Sequence, residues 1–363
     1  MRALHQFVPT FEPGAVGGHM LELQRLAREA LGAEAELFAE FVAPAFEGGA
    51  RRHTDYGRRV PARPGDVLVY HMAIGSVVAD FVRDRTEPLV VDHHNVTPPE
   101  MLERWEPGAA YGCAWGRAQL SELAARSVLG VADSPFNEDE LRQAGYAATA
   151  TAPILLDPAF FAAAGGDVDA AALAGLEDGH TGAEWLFVGR VSPNKCQHDV
   201  VKAFAAYRRL YDPGARLHLV GGSSSAAYWA ALEGYVAALG LAGAVRLTGP
   251  VSAGRLLAHY RAADVLVCVS EHEGFCIPLL EAMAHRVPIV AFASSAVPAT
   301  LGDAGVLLGS KSPATVAAAV HRVLSDDVLR EMLVAAGTAR LAEFSPERTR
   351  ARWVEVLEGV GAP

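Results

Sequence analysis

The sequence has 363 residues, of which 51% are hydrophobic and 20% are charged, and its formal net charge is −11. A chain of this length exceeds one ordinary hydrophobic core and favours two domains, and its charged fraction excludes wholesale disorder. The negative charge argues against a nucleic-acid partner, because the phosphates of a nucleic acid would be repelled.

The cysteines and the apolar runs indicate a cellular compartment. The four cysteines are scattered without a C-x-x-C pair, which favours a reducing environment. The first twenty residues lack the apolar segment of a signal peptide, and no apolar run reaches the roughly 18 residues that cross a bilayer. We therefore expect a soluble, cytoplasmic protein with at most peripheral membrane contact.

Short apolar runs alternate along the chain with helical patterns. Apolar spacing predicts a helix over residues 19–31, and Ser134-Pro135 is a cap signal for another helix. Runs without strict alternation are typical of strands covered on both faces. We predict such strands at 66–76, 87–98, 184–190, 215–222, 244–251, 263–270 and 287–293. The alternation predicts an α/β fold with doubly wound parallel sheets.

The pattern weakens between about 155 and 182, where Ala, Gly and Asp dominate, and we interpret this stretch as a domain linker. The predicted domains are residues 1–160 and 161–344. The last helix, predicted at 345–360, begins with a Ser-Pro cap signal and has an apolar face around Trp353. We expect the terminal segment, 345–363, to cross back onto the first domain.

Ligands of open α/β sheets bind beyond the carboxyl ends of the strands. The stretch "SEHEGFCIPLLEAMAHRVPIV" (270–290) follows such an end. Pro278 predicts a helix from 278 to about 285, whose free amides at Leu279 and Leu280 would bind a phosphate. Glu281 suits two vicinal hydroxyls, and Glu273 beside the amides of 274–276 suits a second sugar ring. Such a ligand is a nucleotide-sugar.

Cations for a diphosphate are present in "FVGRVSPNKCQHD" (187–199), where Arg190 and Lys195 follow a predicted strand. No carboxylate pair is placed for Mg²⁺, so we predict neither a metal nor a cofactor. In the first domain, Gly17 and Gly18 precede a helix and would admit a phosphate. His93 and His94 end a predicted strand, where a histidine can contact a sugar hydroxyl.

Several spaced motifs together resemble the family 4 retaining glycosyltransferases, in particular a bacterial subgroup. They are "GR-x4-K" at 189–195, "VGG" at 220–222, "V-x-L-T-G-x-V" at 245–251 and "E-G-F-x-I-P-L-L-E-A-M-A" at 273–284. The resemblance covers most of the second domain. The first domain matches more loosely through "GGH", "HHN" and "ADSPFNEDEL" (132–141).

The resemblance implies the GT-B fold, with two facing Rossmann-like domains, the acceptor mostly on the first and the donor mostly on the second. It implies that Arg190 and Lys195 bind the donor diphosphate, Glu281 the ribose and Glu273 the donor sugar. Backbone groups around Gly249 and Val251 would contact the base. Further donor contacts are implied at Gly18, Gly274, Phe275, Cys276, Ile277 and Leu279. Cys276 departs from the glycine or bulkier residue expected there.

The implied reaction is transfer of a hexose from a UDP- or GDP-linked sugar to an acceptor hydroxyl by front-face displacement. His94, Glu273, Arg190 and Lys195 would be the catalytic residues. His93, Trp105 and Tyr111 are weaker candidates for acceptor contacts, with core packing favoured for the aromatic pair. The expected partners are a nucleotide-sugar and a carbohydrate or small-molecule acceptor.

Other interpretations stay open from the sequence. Glu273 and Glu281 would also fit a solvated helix end, and Arg190 and Lys195 would also fit surface ion pairs. His93 and His94 could be strand-end histidines whose hydrogen bonds are satisfied within the protein. Gly17 and Gly18 could simply start a helix. At the level of function, the alternatives are a nucleotide-sugar epimerase and a catalytically silent nucleotide-sugar-binding protein.

Overall fold

The structure is a computed structural model that describes residues 1–157 and 167–361. The chain divides into two compact units. Unit 1 comprises Met1–Glu100, Gly108–Pro158 and Phe344–Pro363, and unit 2 comprises Met101–Pro107 and Ala159–Glu343. Residues 101–107, which the sequence analysis assigned to the first domain, therefore lie in unit 2. The boundary predicted at residue 160 falls outside the described residues.

Unit 1 is built on a seven-stranded sheet in the order β3-β2-β1-β4-β5-β6-β7, with parallel pairing throughout. Its strands are β1 Ala3–Phe11, β2 Leu37–Val42, β3 Arg51–Arg52, β4 Asp66–Met72, β5 Leu89–His93, β6 Leu129–Ala132 and β7 Thr149–Thr151. Its helices are α1 Ala15–Glu29, α2 Val77–Arg83, α3 Pro107–Ala124, α4 Pro135–Ala144 and the C-terminal α13 Pro346–Gly361.

Unit 2 is built on a six-stranded parallel sheet in the order β10-β9-β8-β11-β12-β13. Its strands are β8 Glu184–Val188, β9 Arg216–Val220, β10 Val245–Gly249, β11 Val265–Cys268, β12 Ile289–Phe292 and β13 Val306–Leu308. Its helices are α5 Ala170–Glu177, α6 Gln197–Leu210, α7 Ala226–Ala238, α8 Ala253–Ala262, α9 Ile277–Ala284, α10 Val297–Leu301, α11 Pro313–Ser325 and α12 Asp327–Glu343.

Both strand orders confirm the predicted α/β class with two doubly wound parallel sheets. In each sheet the chain moves outward to one edge and then returns to add strands on the other side. The direction reverses between β1 and β4 in unit 1 and between β8 and β11 in unit 2. These reversals are the switch points where ligands of such sheets bind, beyond the carboxyl ends of the strands.

Local signals explain the ends of several helices. The Ser134 hydroxyl accepts a hydrogen bond from the Asn137 amide, and Pro135 is the first residue of α4, as predicted. Helix α5 lies within the stretch that we interpreted as a linker. Its start is capped by the Asp169 carboxylate, which accepts from the Ala172 amide at 2.9 Å. The cap and the alanine-rich sequence favour a helix there, and packing against α8 stabilises it.

The C-terminal helix completes the core of unit 1. Trp353 and Leu357 of α13 are fully buried in a cluster with Leu23, Val69 and Val90. The Trp353 indole N–H donates to the carbonyl oxygen of Pro153 at 2.8 Å. The expected return of this helix to the first domain therefore agrees with its packing. No helix among the described residues is long and apolar enough to span a bilayer.

Candidate functional site

The two central strands of unit 2 deliver the predicted charged residues to its switch point. Strand β8 ends at Val188 and leads through Arg190 to a short 3₁₀ turn, Pro193–Lys195. Its neighbour β11 ends at Cys268 and leads to the loop that carries Glu273. Carboxyl ends of adjacent parallel strands share one edge of a sheet, so residues 78 positions apart in sequence meet there.

Lys195 and Glu273 form an ion pair at this edge. The Lys195 Nζ lies 2.5 Å from Glu273 Oε2, and the side chains are 20% and 11% exposed. A second contact, 3.5 Å long, joins Lys195 Nζ to the carbonyl oxygen of His272. The pair is sheltered but reachable from solvent, so an incoming anion could compete with Glu273 for the ammonium group.

Arg190 is exposed, and its guanidinium has no carboxylate partner among residues 1–157 and 167–361. Its backbone is held in place, because Gln197 Nε2 donates to the Arg190 carbonyl oxygen at 2.9 Å. The side chain is therefore a cation on a fixed backbone. Such a group can bind an anion without first breaking an internal ion pair.

The loop before α9 has a fixed backbone. The Glu273 amide donates to Ser295 Oγ at 2.8 Å, and Thr300 Oγ1 donates to the Phe275 carbonyl oxygen at 2.6 Å. Cys276 caps α9 with φ 72° and ψ 64°, a left-handed conformation that normally favours glycine. Glycine, one of the two kinds of residue that the resemblance implied at 276, would adopt this conformation without strain.

The start of α9 differs from the prediction. The helix begins at Ile277, and the Leu279 amide is not free, because it donates to the Cys276 carbonyl oxygen at 3.1 Å. The Leu279 side chain is fully buried. Phe275 and Cys276 are also buried, whereas Gly274 and Ile277 are partly exposed, so these two offer the accessible atoms of the loop.

Glu281 has a buried partner that the sequence analysis missed. The Tyr260 hydroxyl of α8 donates to Glu281 Oε2 at 2.6 Å. Burial raises the pKa of Glu281, and the hydrogen bond from Tyr260 opposes that shift. The tyrosine therefore orients the carboxylate that we predicted to bind a ribose.

The predicted base-contacting segment lies at the end of β10. Gly249 has φ +70° and its carbonyl oxygen accepts from the Gly221 amide at 3.2 Å, while Val251 is partly exposed two residues later. Gly221 follows β9, so this segment belongs to the same carboxyl edge as Lys195.

In unit 1, α1 begins at Ala15, so Gly17 and Gly18 lie in its first turn and do not precede the helix as predicted. The two glycines have different surroundings. A Cβ on Gly17 would lie 2.0 Å from the Glu12 carbonyl oxygen, so no larger residue fits there without a backbone shift. A Cβ on Gly18 would meet nothing within 4 Å. Gly17 is therefore required by packing, whereas Gly18 borders open space that a phosphate could enter.

His94 lies in a buried network of histidines and aspartates. Its Nδ1 is 2.9 Å from Asp133 Oδ2, and its Nε2 is 2.9 Å from His71 Nδ1 and 3.3 Å from Asp92 Oδ2. The Asp92 oxygen also lies 2.9 Å from His19 Nε2. The side chains of all these residues are at most 3% exposed. Both nitrogens of His94 thus face protein groups.

The neighbours of the network determine where its protons lie. The Leu155 amide donates to His19 Nδ1, so the His19 proton is on Nε2 and points to Asp92. Gln6 Nε2 donates to the Met20 carbonyl oxygen, which leaves Gln6 Oε1 to accept from His71 Nε2. His71 Nδ1 lies 2.9 Å from His94 Nε2 and 3.2 Å from Asp92 Oδ2. If His71 is neutral, its Nδ1 accepts a hydrogen bond and His94 donates from Nε2.

His94 is therefore an imidazolium, since its Nδ1 also donates to Asp133. The Asp133 and Asp92 carboxylates outweigh burial and raise the pKa of His94 to about 9. Burial lowers the pKa of His71 to about 4, so this neighbour stays neutral. The cation between two carboxylates joins the ends of β5 and β6.

The three predicted acceptor residues have different surroundings. His93 is buried, and its Nε2 lies 3.1 Å from Glu140 Oε2. Tyr111 on α3 is 74% exposed. Trp105 lies in unit 2 rather than in the first domain, with its ring 5.6 Å from that of Tyr228. The adjoining Glu106 accepts from the Ser192 hydroxyl at 2.8 Å, which helps to hold this segment in unit 2.

Sequence reasoning missed His19, His71, Asp92, Asp133 and Tyr260. The two aspartates lie at the carboxyl end of β5 and just after β6, so the strand-end rule that selected His94 would have found them. His71, inside β4, and Tyr260, on a helix remote in sequence, carried no such signal.

Comparison with known proteins identifies the family of the chain. A profile described as "Glycosyl transferases group 1" matches residues 177–340. A D-inositol 3-phosphate glycosyltransferase of Kineococcus radiotolerans is 32% identical over 298 residues, covering 77% of this chain and 67% of the relative. The chain belongs to the group 1 glycosyltransferases. A relative of the same name from Geodermatophilus obscurus is 39% identical over 172 residues, which cover 45% of this chain but 37% of the relative.

Solved structures show the fold of this group 1 glycosyltransferase. Sucrose-phosphate synthase from Thermosynechococcus elongatus aligns over 99% of both chains with a TM-score of 0.76 and 18% identity. The Anabaena protein HepE in complex with UDP and glucose aligns over 99% of this chain and 100% of that chain, with a TM-score of 0.73 and 17% identity. The GT-B fold implied by the sequence motifs is thereby confirmed.

Proposed function

We propose that this chain is a retaining glycosyltransferase that transfers a hexose from a UDP- or GDP-linked sugar to an acceptor hydroxyl without a metal ion. The observation that carries the proposal is the Lys195–Glu273 ion pair beside the exposed Arg190, at the switch point of unit 2. The names of the relatives, and the UDP held by the Anabaena structure, support a nucleotide-sugar donor.

Each residue at this edge has a chemical part in the proposal. Arg190 and Lys195 bind the diphosphate and neutralise the charge that grows on it as the bond to the sugar breaks. Glu273, released from Lys195, accepts hydrogen bonds from the hydroxyls of the transferred sugar. Glu281, held by Tyr260, accepts from the ribose hydroxyls.

The reaction proceeds on one face of the sugar. The bond from the anomeric carbon to the acceptor oxygen forms as the bond to the phosphate oxygen breaks. The departing phosphate takes the proton of the acceptor hydroxyl, so no nucleophile of the protein is needed.

The test begins with melting temperatures of the protein in the presence of UDP, GDP, dTDP and ADP, with and without EDTA. A ligand that binds the folded state raises the melting temperature. We expect a shift with UDP or GDP that EDTA does not change. NMR of the product formed from the matching sugar nucleotide then gives the configuration at the anomeric carbon, which we expect to be retained.

The variant Glu273→Gln should lose at least about a hundredfold in transfer rate, because a neutral amide cannot accept in the same way from the sugar hydroxyls. Glu271→Gln is the matched control, since Glu271 lies two residues away, is exposed and pairs with Lys311. Near-normal turnover by Glu273→Gln contradicts the assignment. Nucleotide binding without turnover favours the silent binding protein, and an epimerised sugar nucleotide favours the epimerase.

A further inference from the structure

Two buried thiols and a carboxylate meet at the carboxyl end of β11. Cys268 is the last residue of this strand, and Cys276 is the left-handed residue before α9. Their sulfur atoms lie 3.8 Å apart, and both residues are buried. Glu273 offers a carboxylate oxygen, and the three potential ligand atoms all lie within 4.8 Å of one another.

The sulfur separation matches that of a tetrahedral zinc site. Zinc binds thiolate sulfur at about 2.3 Å in tetrahedral geometry, which places two sulfur ligands about 3.8 Å apart. The sulfur separation therefore fits one ion, and Glu273 has to turn from Lys195 to complete the ligand set. Three protein ligands leave a fourth position for water, as in zinc sites that are not purely structural.

The other two clusters of metal-ligating residues in the described part of the chain are already filled by internal cations. Beside Cys196 and Asp199, the Lys311 Nζ lies 3.4 Å from the sulfur and 2.7 Å from Asp199 Oδ2. In unit 1, the His94 imidazolium occupies its cluster, and the proton of His19 points into it. In the third cluster Lys195 pairs with Glu273, and an incoming ion has to displace it from that carboxylate.

We propose that Cys268, Cys276 and Glu273 form a binding site for a thiophilic divalent cation of the zinc class, and that occupation of this site inhibits the enzyme. The inhibitory part rests on the function proposed above, because it is Glu273 that the ion removes from Lys195 and from the donor sugar. The two thiols lose their protons to solvent as the ion binds, and no oxidation takes place.

The thiols set the pH dependence of binding. The cation binds thiolates, so it must displace the protons of both thiols. Apparent affinity for the ion should therefore rise with pH.

Metal binding is tested on the purified, reduced protein with Co²⁺ as a spectroscopic probe and Zn²⁺ as a competitor. We expect one equivalent of Co²⁺ per chain with a thiolate-to-metal charge-transfer band, displaced by Zn²⁺ but not by Mg²⁺. Cys268→Ser should weaken binding at least tenfold and lose the band, and Cys268→Ala serves as a second variant if serine perturbs folding. Cys113→Ser, in unit 1, is the control that should bind as the unmodified protein does.

Three results would overturn the site. They are an absent thiolate band, unchanged binding by both Cys268 variants, and a disulfide between the two cysteines that mass spectrometry still detects after treatment with reductant. Inhibition is tested separately by glycosyl transfer with added Zn²⁺. The unmodified protein and Cys113→Ser should be inhibited and then restored by EDTA, whereas Cys268→Ser should stay active. Binding without inhibition overturns the regulatory part. If no donor supports transfer, the proposed function fails, but the cobalt spectrum still decides the metal site.

Discussion

The buried His94 imidazolium makes a sharp prediction for the stability of unit 1 as a function of pH. Its pKa is raised from 6.5 to about 9 by the Asp133 and Asp92 carboxylates, so the folded unit holds this proton more tightly than the unfolded chain does. The contribution is fully present below pH 6.5 and is lost as the pH rises through 9. A difference of about 2.5 pH units corresponds to about 3 kcal/mol.

His71 acts in the opposite direction. Burial lowers its pKa from 6.5 to about 4, so its contribution is present above pH 6.5 and is lost as the pH falls through 4. The two histidines together predict a maximum of stability near pH 6.5. On each side of this maximum, the free energy of unfolding should fall by about 1.4 kcal/mol per pH unit.

The assay is hydrogen–deuterium exchange of the β4 and β5 amides from pH 5 to 9, corrected for intrinsic rates, which reports the opening free energy of unit 1. In His94→Asn, the opening free energy should no longer fall between pH 6.5 and 9. It should also be about 3 kcal/mol lower at pH 6.5, because Asp133 and Asp92 are left without their cation. In His71→Asn, the opening free energy should no longer fall as the pH decreases below 6.5. His321→Gln, in unit 2, is the control. Protection that stays constant between pH 6.5 and 9 in the unmodified protein would refute a charged His94.

Three further predictions concern Tyr260 and the two glycines of α1. Tyr260→Phe removes the hydroxyl that orients Glu281, so calorimetry should show a roughly tenfold weaker affinity for the matching nucleotide. Tyr235→Phe is the control that should bind normally, and equal affinities of the two variants would contradict an orienting role of Tyr260. Gly17→Ala should lower the melting temperature, because its Cβ would overlap the Glu12 carbonyl. Gly18→Ala should fold normally yet weaken donor binding, and undiminished binding would remove Gly18 from the site.

Periodicity was sufficient for most of the fold. Buried runs such as 184–190 and 263–270 became β8 and β11, and Ser134 caps α4, because these signals depend on residues close in sequence. The first strand was not predicted, although Ala3–Phe11 pairs at the centre of its sheet. Helix α5 was interpreted as linker. In both places the local pattern is weak and the tertiary context decides.

The candidate site was predictable where motif spacing and strand ends coincide. Arg190, Lys195 and Glu273 follow β8 and β11, and the sequence placed them at one sheet edge by that rule. It also placed Trp105 in the first domain, whereas the segment is held in unit 2 by bonds from Ser192 and Ser225 to Glu106 and the Trp105 carbonyl. Such contacts between distant segments leave no periodic trace.

The sequence by itself determined the alternation of strands and helices, the parallel sheets and the charged residues at their carboxyl edges, because each depends on spacing along the chain. Only the tertiary structure decided that His94 is a buried cation, that Tyr260 holds Glu281, and that Cys268 and Cys276 lie in contact. The protonation of a histidine and the pairing of two sulfurs depend on neighbours in space, and spacing along the chain does not specify them.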